Sequence, residues 1–118
     1  MSGHRVVLVA NGVGAAAAAV FAAAGLIRPG YVEADSSSTS SLSEFWAAAS
    51  ALRTWAITVP LLGELVLKRR PSPQLLVAAG LVQLGDSALG IRQRNPSMTL
   101  APAAMGVVHL ASARVLSR

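Results

Sequence analysis

The sequence lacks cysteine and carries few charges, and both shortages narrow the range of functions. Without cysteine, the 118-residue chain has no disulfide scaffold, no thiolate metal site and no cysteine nucleophile. Charged residues make up 13% of the chain, against about 25% in an average soluble domain. Hydrophobic residues make up 53%, more than so short a chain can hide from water, which argues against a soluble globular enzyme. This hydrophobicity also excludes intrinsic disorder, so the composition predicts an integral membrane protein.

A net charge of +5 is also compatible with nucleic-acid binding, but the positions of the basic residues favour a membrane. Lys68, Arg69 and Arg70 stand together between two apolar segments, and most other basic residues also flank such segments. Membrane proteins distribute positive charge in this way. We therefore expect the protein to lie in the lipid bilayer and to bind no nucleic acid. The partner that we expect is a lipophilic small molecule.

Four apolar runs predict four transmembrane helices, at about residues 6–27, 45–67, 75–91 and 98–116. The first run covers about 33 Å as a helix, enough to cross a bilayer, and its apolar core is longer than that of a signal peptide. Because lipid forces backbone groups to pair within their own segment, each run should be helical. The expected fold is an all-α, four-helix transmembrane bundle, a single membrane domain of a multi-pass cell-membrane protein.

The distribution of positive charge predicts that both termini lie in the cytoplasm. In that orientation the basic residues divide six to three between the two sides: Arg5, Lys68, Arg69, Arg70, Arg114 and Arg118 inside, and Arg28, Arg92 and Arg94 outside.

Polar residues inside the predicted spans are the candidate site, because such residues are costly in lipid. Arg53 lies about 12 Å and Asp86 about 8 Å below the outer ends of their helices, at 1.5 Å per residue. An arginine side chain is long enough to bring the two groups to one level. Each polar residue shares a helical stripe with small residues, which predicts a bundle with a polar interior. The candidate residues are Asp86, Arg53 and His109 as reacting groups and Gln83, Trp46, Glu64 and Asn11 as binding groups.

Six of the seven candidates also have a structural interpretation. Arg53 and Asp86 can form an ion pair that only fixes helix 2 against helix 3. Glu64 stands four residues before Lys68, the spacing of an ordinary ion pair on a helix surface. The others can be contacts between helices or an anchor at the membrane interface: His109, Asn11 and Trp46.

Cofactor motifs are missing from the sequence. The glycines of Asn11-Gly12-Val13-Gly14 follow no strand, so a dinucleotide-binding loop is not expected. His4 and His109 are too few for a metal site. We therefore expect no cofactor and no metal.

Three stretches carry a resemblance to a known family. They read A-L-R-T-W-A-I-T-V-P-L-L-G in helix 2, L-V-A-A-G-L-V-Q-L-G-D-S-A-L-G in helix 3 and A-P-A-A-M-G-V-V-H-L-A-S-A-R-V-L in helix 4. An arginine in helix 2, G-D in helix 3 and G-x-x-H-L in helix 4 resemble small four-span membrane proteins of bacteria and fungi, a family of largely unknown function. The resemblance covers roughly residues 45–117. It implies the four-span bundle and points to Arg53, Asp86 and His109, but it implies no reaction.

The residues favour a membrane protein whose polar interior binds a lipophilic small molecule, with cofactor-free acid–base catalysis such as isomerisation or cyclisation. Asp86 would donate or accept a proton, Arg53 would set its charge state or hold an oxyanion, and His109 would be the second proton carrier. One alternative is a proton-coupled transporter, with Glu64 near its inner mouth and Glu44 near its outer mouth. It would need a homo-oligomer, because four short helices enclose little volume. The other alternative is a non-catalytic accessory subunit. The sequence leaves open whether the protein is an enzyme.

Overall fold

The described residues of the computed structural model are 2–28, 41–67 and 70–118, and they form four α-helices. The helices are α1 (Gly3–Ile27), α2 (Ser41–Leu67), α3 (Pro73–Arg92) and α4 (Pro96–Leu116). The predicted all-α, four-helix fold is confirmed, and each helix is long and apolar enough to cross a membrane. Each helix begins a few residues before the predicted apolar run, because helical backbone pairing continues into the polar residues that flank it.

Proline starts two of the helices and a side-chain cap supports one of them. Pro73 and Pro96 stand in the first turns of α3 and α4, where a missing N–H removes no helical hydrogen bond. Asn95 caps α4, since its Oδ1 accepts from the Met98 backbone N–H at 3.3 Å. The short turn between α3 and α4 includes Arg94 in the left-handed region, at φ 53°.

The helices pack as two close antiparallel pairs, α1 with α2 and α3 with α4. In the second pair, a Cβ added to Gly80 would lie 3.2 Å from the backbone oxygen of Gly106, so the two backbones approach through glycine. In the first pair, the indole N–H of Trp55 donates to the backbone oxygen of Ala19 at 3.1 Å. Each pair is therefore held by contacts of its own.

The two pairs meet along a looser boundary, here called the seam, where α2 faces α3 and α1 faces α4. The small core lies on it and consists of Ala15, Leu61, Leu76, Ala79 and Ala113. Neighbouring helices are antiparallel, so the ends of α1 and α4 nearest the termini lie at the same end of the bundle as the α2–α3 connection. We call this the terminal end and the opposite one the turn end.

Large apolar side chains remain exposed on all four helices, including Val20, Val59, Leu81 and Leu100. Soluble monomers rarely expose apolar surface so widely. A bilayer would cover these side chains, as the sequence composition predicts.

Candidate functional site

The Arg53–Asp86 pair joins α2 to α3 across the seam. The Arg53 Nη2 atom lies 2.6 Å from Asp86 Oδ1, so the two charges share one level, as the depth estimate predicts. The pair is only partly covered, because 44% of the Arg53 side chain and 25% of the Asp86 side chain are exposed. Within the described part of the chain, Asp86 is the one hydrogen-bond partner of the Arg53 guanidinium. A guanidinium carries five N–H donors, so most of its donors are unused.

A second polar group, here called the asparagine cluster, joins α1 to α4 across the same seam. It consists of Asn11, His109 and Ser112, all of them buried. Asn11 Oδ1 lies 2.6 Å from His109 Nδ1. Asn11 Nδ2 donates to Ser112 Oγ at 2.8 Å and to the backbone oxygen of Val7 at 2.7 Å. The amide therefore uses both its donors and its acceptor, and it fixes α1 against α4.

This cluster determines which nitrogen of His109 carries the proton. The Val7 carbonyl can only accept, so the Asn11 atom that faces it must be the Nδ2 amine. The Asn11 atom facing His109 is then the carbonyl oxygen, which also can only accept. His109 Nδ1 must therefore carry the hydrogen, and in the neutral ring Nε2 is left as an acceptor.

A small cavity lies at the centre of the seam and is lined by all four helices. Its volume is about 10 Å³, close to the least space that holds one water molecule. Gln83, His109, Thr54 and Thr58 give it polar wall atoms, while the rest of the lining is aliphatic. The cavity suits a single water, whereas pockets for small organic molecules measure about 300–1,000 Å³.

The sequence predicts one polar interior, but four of its polar side chains lie in two separate places, namely those of Arg53, Asp86, Gln83 and His109. Gln83 and His109 line the cavity, whereas Arg53 and Asp86 are not among the residues that line it. Gly80 packs against Gly106 and Leu110, which puts His109 near the level of Gly80. Asp86 is six residues further along α3, about 9 Å closer to the turn end at 1.5 Å per residue. The ion pair and the asparagine cluster are thus separate polar contacts of one seam.

The other two candidates lie at opposite ends of α2. Glu64 stands near the terminal end, where its Oε2 accepts from the backbone N–H of Ser72 at 2.7 Å, directly before α3 begins. The proposed partner Lys68 lies outside the described residues. Trp46 is 62% exposed near the turn end and stacks edge-on against Phe45, with ring centroids 5.4 Å apart. An exposed aromatic near a helix end is typical of a membrane-interface anchor.

Two participants in these contacts are not among the sequence candidates. Ser112 accepts from Asn11, and the signal for it was its position three residues after His109 on the same face of α4. The Ser72 N–H offers no such signal, because the fold of the α2–α3 connection decides where a backbone group meets Glu64.

All buried polar side-chain atoms of the described residues have a hydrogen-bond partner. The described residues also contain no group of three or more histidine or acidic side chains that could hold a metal ion. Comparisons with protein-family profiles, with curated proteins and with solved structures return no significant match.

Proposed function

We propose that this chain is a multi-pass protein of the cell membrane, with both termini in the cytoplasm, that acts as a non-catalytic accessory subunit. It binds another membrane-spanning chain side by side in the bilayer. The face it uses is the one on which Arg53 and Asp86 are exposed.

The main observation behind this proposal is that the Arg53–Asp86 ion pair is partly exposed although it lies on two helices long enough to span a membrane. Hydrocarbon offers no hydrogen bonds, so charged groups and unused N–H donors are costly there. A neighbouring chain with polar groups at the same depth would cover the pair and use the remaining donors of Arg53. The exposed pair is therefore better suited to binding a second chain than to facing lipid alone.

The interior of the bundle supports the same proposal. The buried polar side-chain atoms of the described residues have hydrogen-bond partners within the chain, and the central cavity has the volume of about one water. Interhelical hydrogen bonds of this kind hold membrane helices together. An interior with so little room suits a protein whose working surface is its outside.

The catalytic hypothesis from the sequence stays a prediction, and one observation favours it. The asparagine cluster leaves Nε2 of His109 as a proton acceptor, and His109 borders the cavity. For chemistry on a lipophilic molecule, the two helix pairs would have to part along the seam to make room. A ligand found between the pairs would favour that hypothesis over ours.

Single-cysteine cross-linking in native membranes tests the proposal, and the absence of natural cysteine keeps the labelling specific. Ala56→Cys places a thiol on the exposed side of α2, one helical turn from Arg53. Val107→Cys is the matched control: it is exposed on α4, the helix diagonally opposite, at a similar distance from the terminal end. We expect a thiol-reactive benzophenone attached to Ala56→Cys to cross-link to a second protein chain on irradiation, because it inserts into C–H bonds and needs no thiol on the partner. The same reagent attached to Val107→Cys should give no such product. Equal products at both positions, or none at either, would contradict the proposal.

A further inference from the structure

We propose that the chain bound at this face is a second copy of the same protein, so that Arg53 of each copy pairs with Asp86 of the partner subunit. This inference rests on the proposed function and names the partner. The surface involved, here called the α2/α3 face, contains Arg53, Ala56, Pro60 and Gly63 of α2 and Gly85 and Asp86 of α3.

The charges on this face complement a copy of themselves. One side chain is a cation and its neighbour is an anion, 2.6 Å apart. A two-fold axis beside the pair brings each arginine opposite the carboxylate of the other copy, which is the self-complementary contact that a symmetric dimer needs. Asp86 accepts from Arg53 through Oδ1, so its second oxygen is available to the partner's guanidinium. Four alternating charges then satisfy one another.

The depth of the pair fixes the direction of the axis. Asp86 lies six residues before the end of α3 at Arg92, about 9 Å from the turn end, whereas the middle of this 20-residue helix is about 15 Å away. An inverted copy would place its charges on the other side of the mid-plane, about 12 Å from the first pair. Only a copy in the same orientation, related by an axis along the membrane normal, brings the charges together.

Two glycines on this face have no packing role among the residues that the structure describes. A Cβ added to Gly80, Gly90 or Gly106 would meet a neighbouring helix at once, which explains why glycine stands at those positions. A Cβ added to Gly63 or Gly85 would meet nothing within 4 Å in the described part of the chain. Small residues on a membrane helix allow a second helix to approach closely. Gly63 and Gly85 therefore leave room for a second helix on the outer surface, beside an ion pair that would otherwise face lipid.

A charge-rescue experiment separates a bond between copies from a bond within one chain. Arg53→Asp gives a chain with two negative charges on the face, and Asp86→Arg gives a chain with two positive charges. Each variant repels its own copies, but the two variants together restore opposite charges across the interface. We expect each variant alone to be mostly monomeric. Co-expressed with different tags, the two should form mixed dimers well above the roughly one half that random pairing gives.

A pair that bonds only within each chain predicts the opposite outcome. Mixing Arg53→Asp with Asp86→Arg then brings no rescue, because neither chain regains its own partner. That result would overturn the inference.

A second measurement keeps the charges intact, in case the charge variants fail to fold. The product of Ala56→Cys in the otherwise natural chain is identified by mass spectrometry, beside Gly85→Ile, which fills the open space on the α2/α3 face. We expect a product of two copies, reduced at least severalfold by Gly85→Ile. A product joined to a different protein would overturn the inference that the partner is a second copy, but it would not contradict the accessory role. No product, with a lipid or other lipophilic molecule bound at Arg53, would overturn both.

Discussion

At the scale of single residues, Asn11 is a fully buried polar side chain whose amide has to meet three hydrogen-bond partners at once. It lies on α1, is fully buried, and is the common partner of His109 and Ser112 on α4. The sequence shows that Asn11 is polar within an apolar run, which marks it as a contact residue. It does not show which residue Asn11 meets, because that depends on the rotation of α1 and α4 about their own axes. The pairing of Arg53 with Asp86 was predictable, since charges of opposite sign at one depth attract across a short distance.

Asn11→Leu should destabilise the bundle by about 1–2 kcal/mol, because His109 and Ser112 are left buried without their partner. The measurement is the unfolding midpoint by circular dichroism in mixed detergent micelles. Adding His109→Leu and Ser112→Ala to the same chain removes the stranded polar groups, so the triple variant should lose less than the sum of the separate losses. A fully additive loss would show that the three side chains do not act as one cluster.

At the scale of helices, the number and type of the elements follow from the sequence, but their close contacts do not. A bilayer accepts apolar segments only as helices, so four runs predict four helices. Two helices approach closely where one of them has a glycine, because no side chain holds the neighbouring backbone away, as at Gly90 beside Met98. A glycine on a packed face and a glycine on an open face look alike in the sequence. The cavity volume cannot be predicted from the sequence either, because it depends on how side chains of all four helices pack around one space.

Gly90→Ala should destabilise the α3–α4 pair by about 1–3 kcal/mol, the usual range for overpacking. The added Cβ would lie 2.5–2.7 Å from backbone atoms of Met98 and Thr99, and backbone atoms cannot turn aside as a side chain can. Gly12→Ala is the control, because it lies outside the α2/α3 face and its added Cβ would make only an ordinary contact, 3.9 Å from Leu65 Cδ1. Thermal or detergent unfolding should separate the two variants. A Gly12→Ala chain as unstable as Gly90→Ala would contradict the packing described for the α3–α4 pair.

Glu64→Ala should weaken the start of α3 and cost about 1 kcal/mol, as for the loss of a helix cap. Its carboxylate accepts from the Ser72 N–H, one of the backbone donors that a helix start leaves without a helical partner. Glu64→Gln keeps an acceptor oxygen and should retain more of the stability than Glu64→Ala. Amide hydrogen exchange near the beginning of α3 reports the difference directly. Equal exchange in both variants would mean that the charge of Glu64, and not the hydrogen bond, is what matters.

At the scale of the whole molecule, the bundle consists of two close pairs joined by polar contacts along a seam. The turn-end half of the seam holds the partly exposed ion pair, and the asparagine cluster lies nearer the terminal end. The sequence predicts that polar groups face inward and form one site, but not that the ion pair and the asparagine cluster are separate contacts. Their division follows from the packing of α3 on α4, which places Gly80 and not Asp86 near the level of His109.

The positive charges predict a single orientation of the chain in the membrane. The proposed dimer needs both of its copies in the same orientation. Ser97→Cys lies at the turn end and Ser117→Cys at the terminal end, both at exposed positions. A membrane-impermeant maleimide should label Ser97→Cys in intact cells and label Ser117→Cys only after the membrane is permeabilised. Labelling of both variants in intact cells would reveal two orientations and contradict the predicted topology.

Native mass spectrometry in a mild detergent is the decisive test of the proposed dimer, with wild type and Asp86→Asn measured side by side. We expect the wild type to carry two copies of the chain and no tightly held small molecule. Asp86→Asn should be mostly single chains that remain helical by circular dichroism. A wild type of single chains that carries a lipophilic compound, with the compound lost from a folded Asp86→Asn, would contradict the proposed dimer and favour the ligand-binding, catalytic hypothesis.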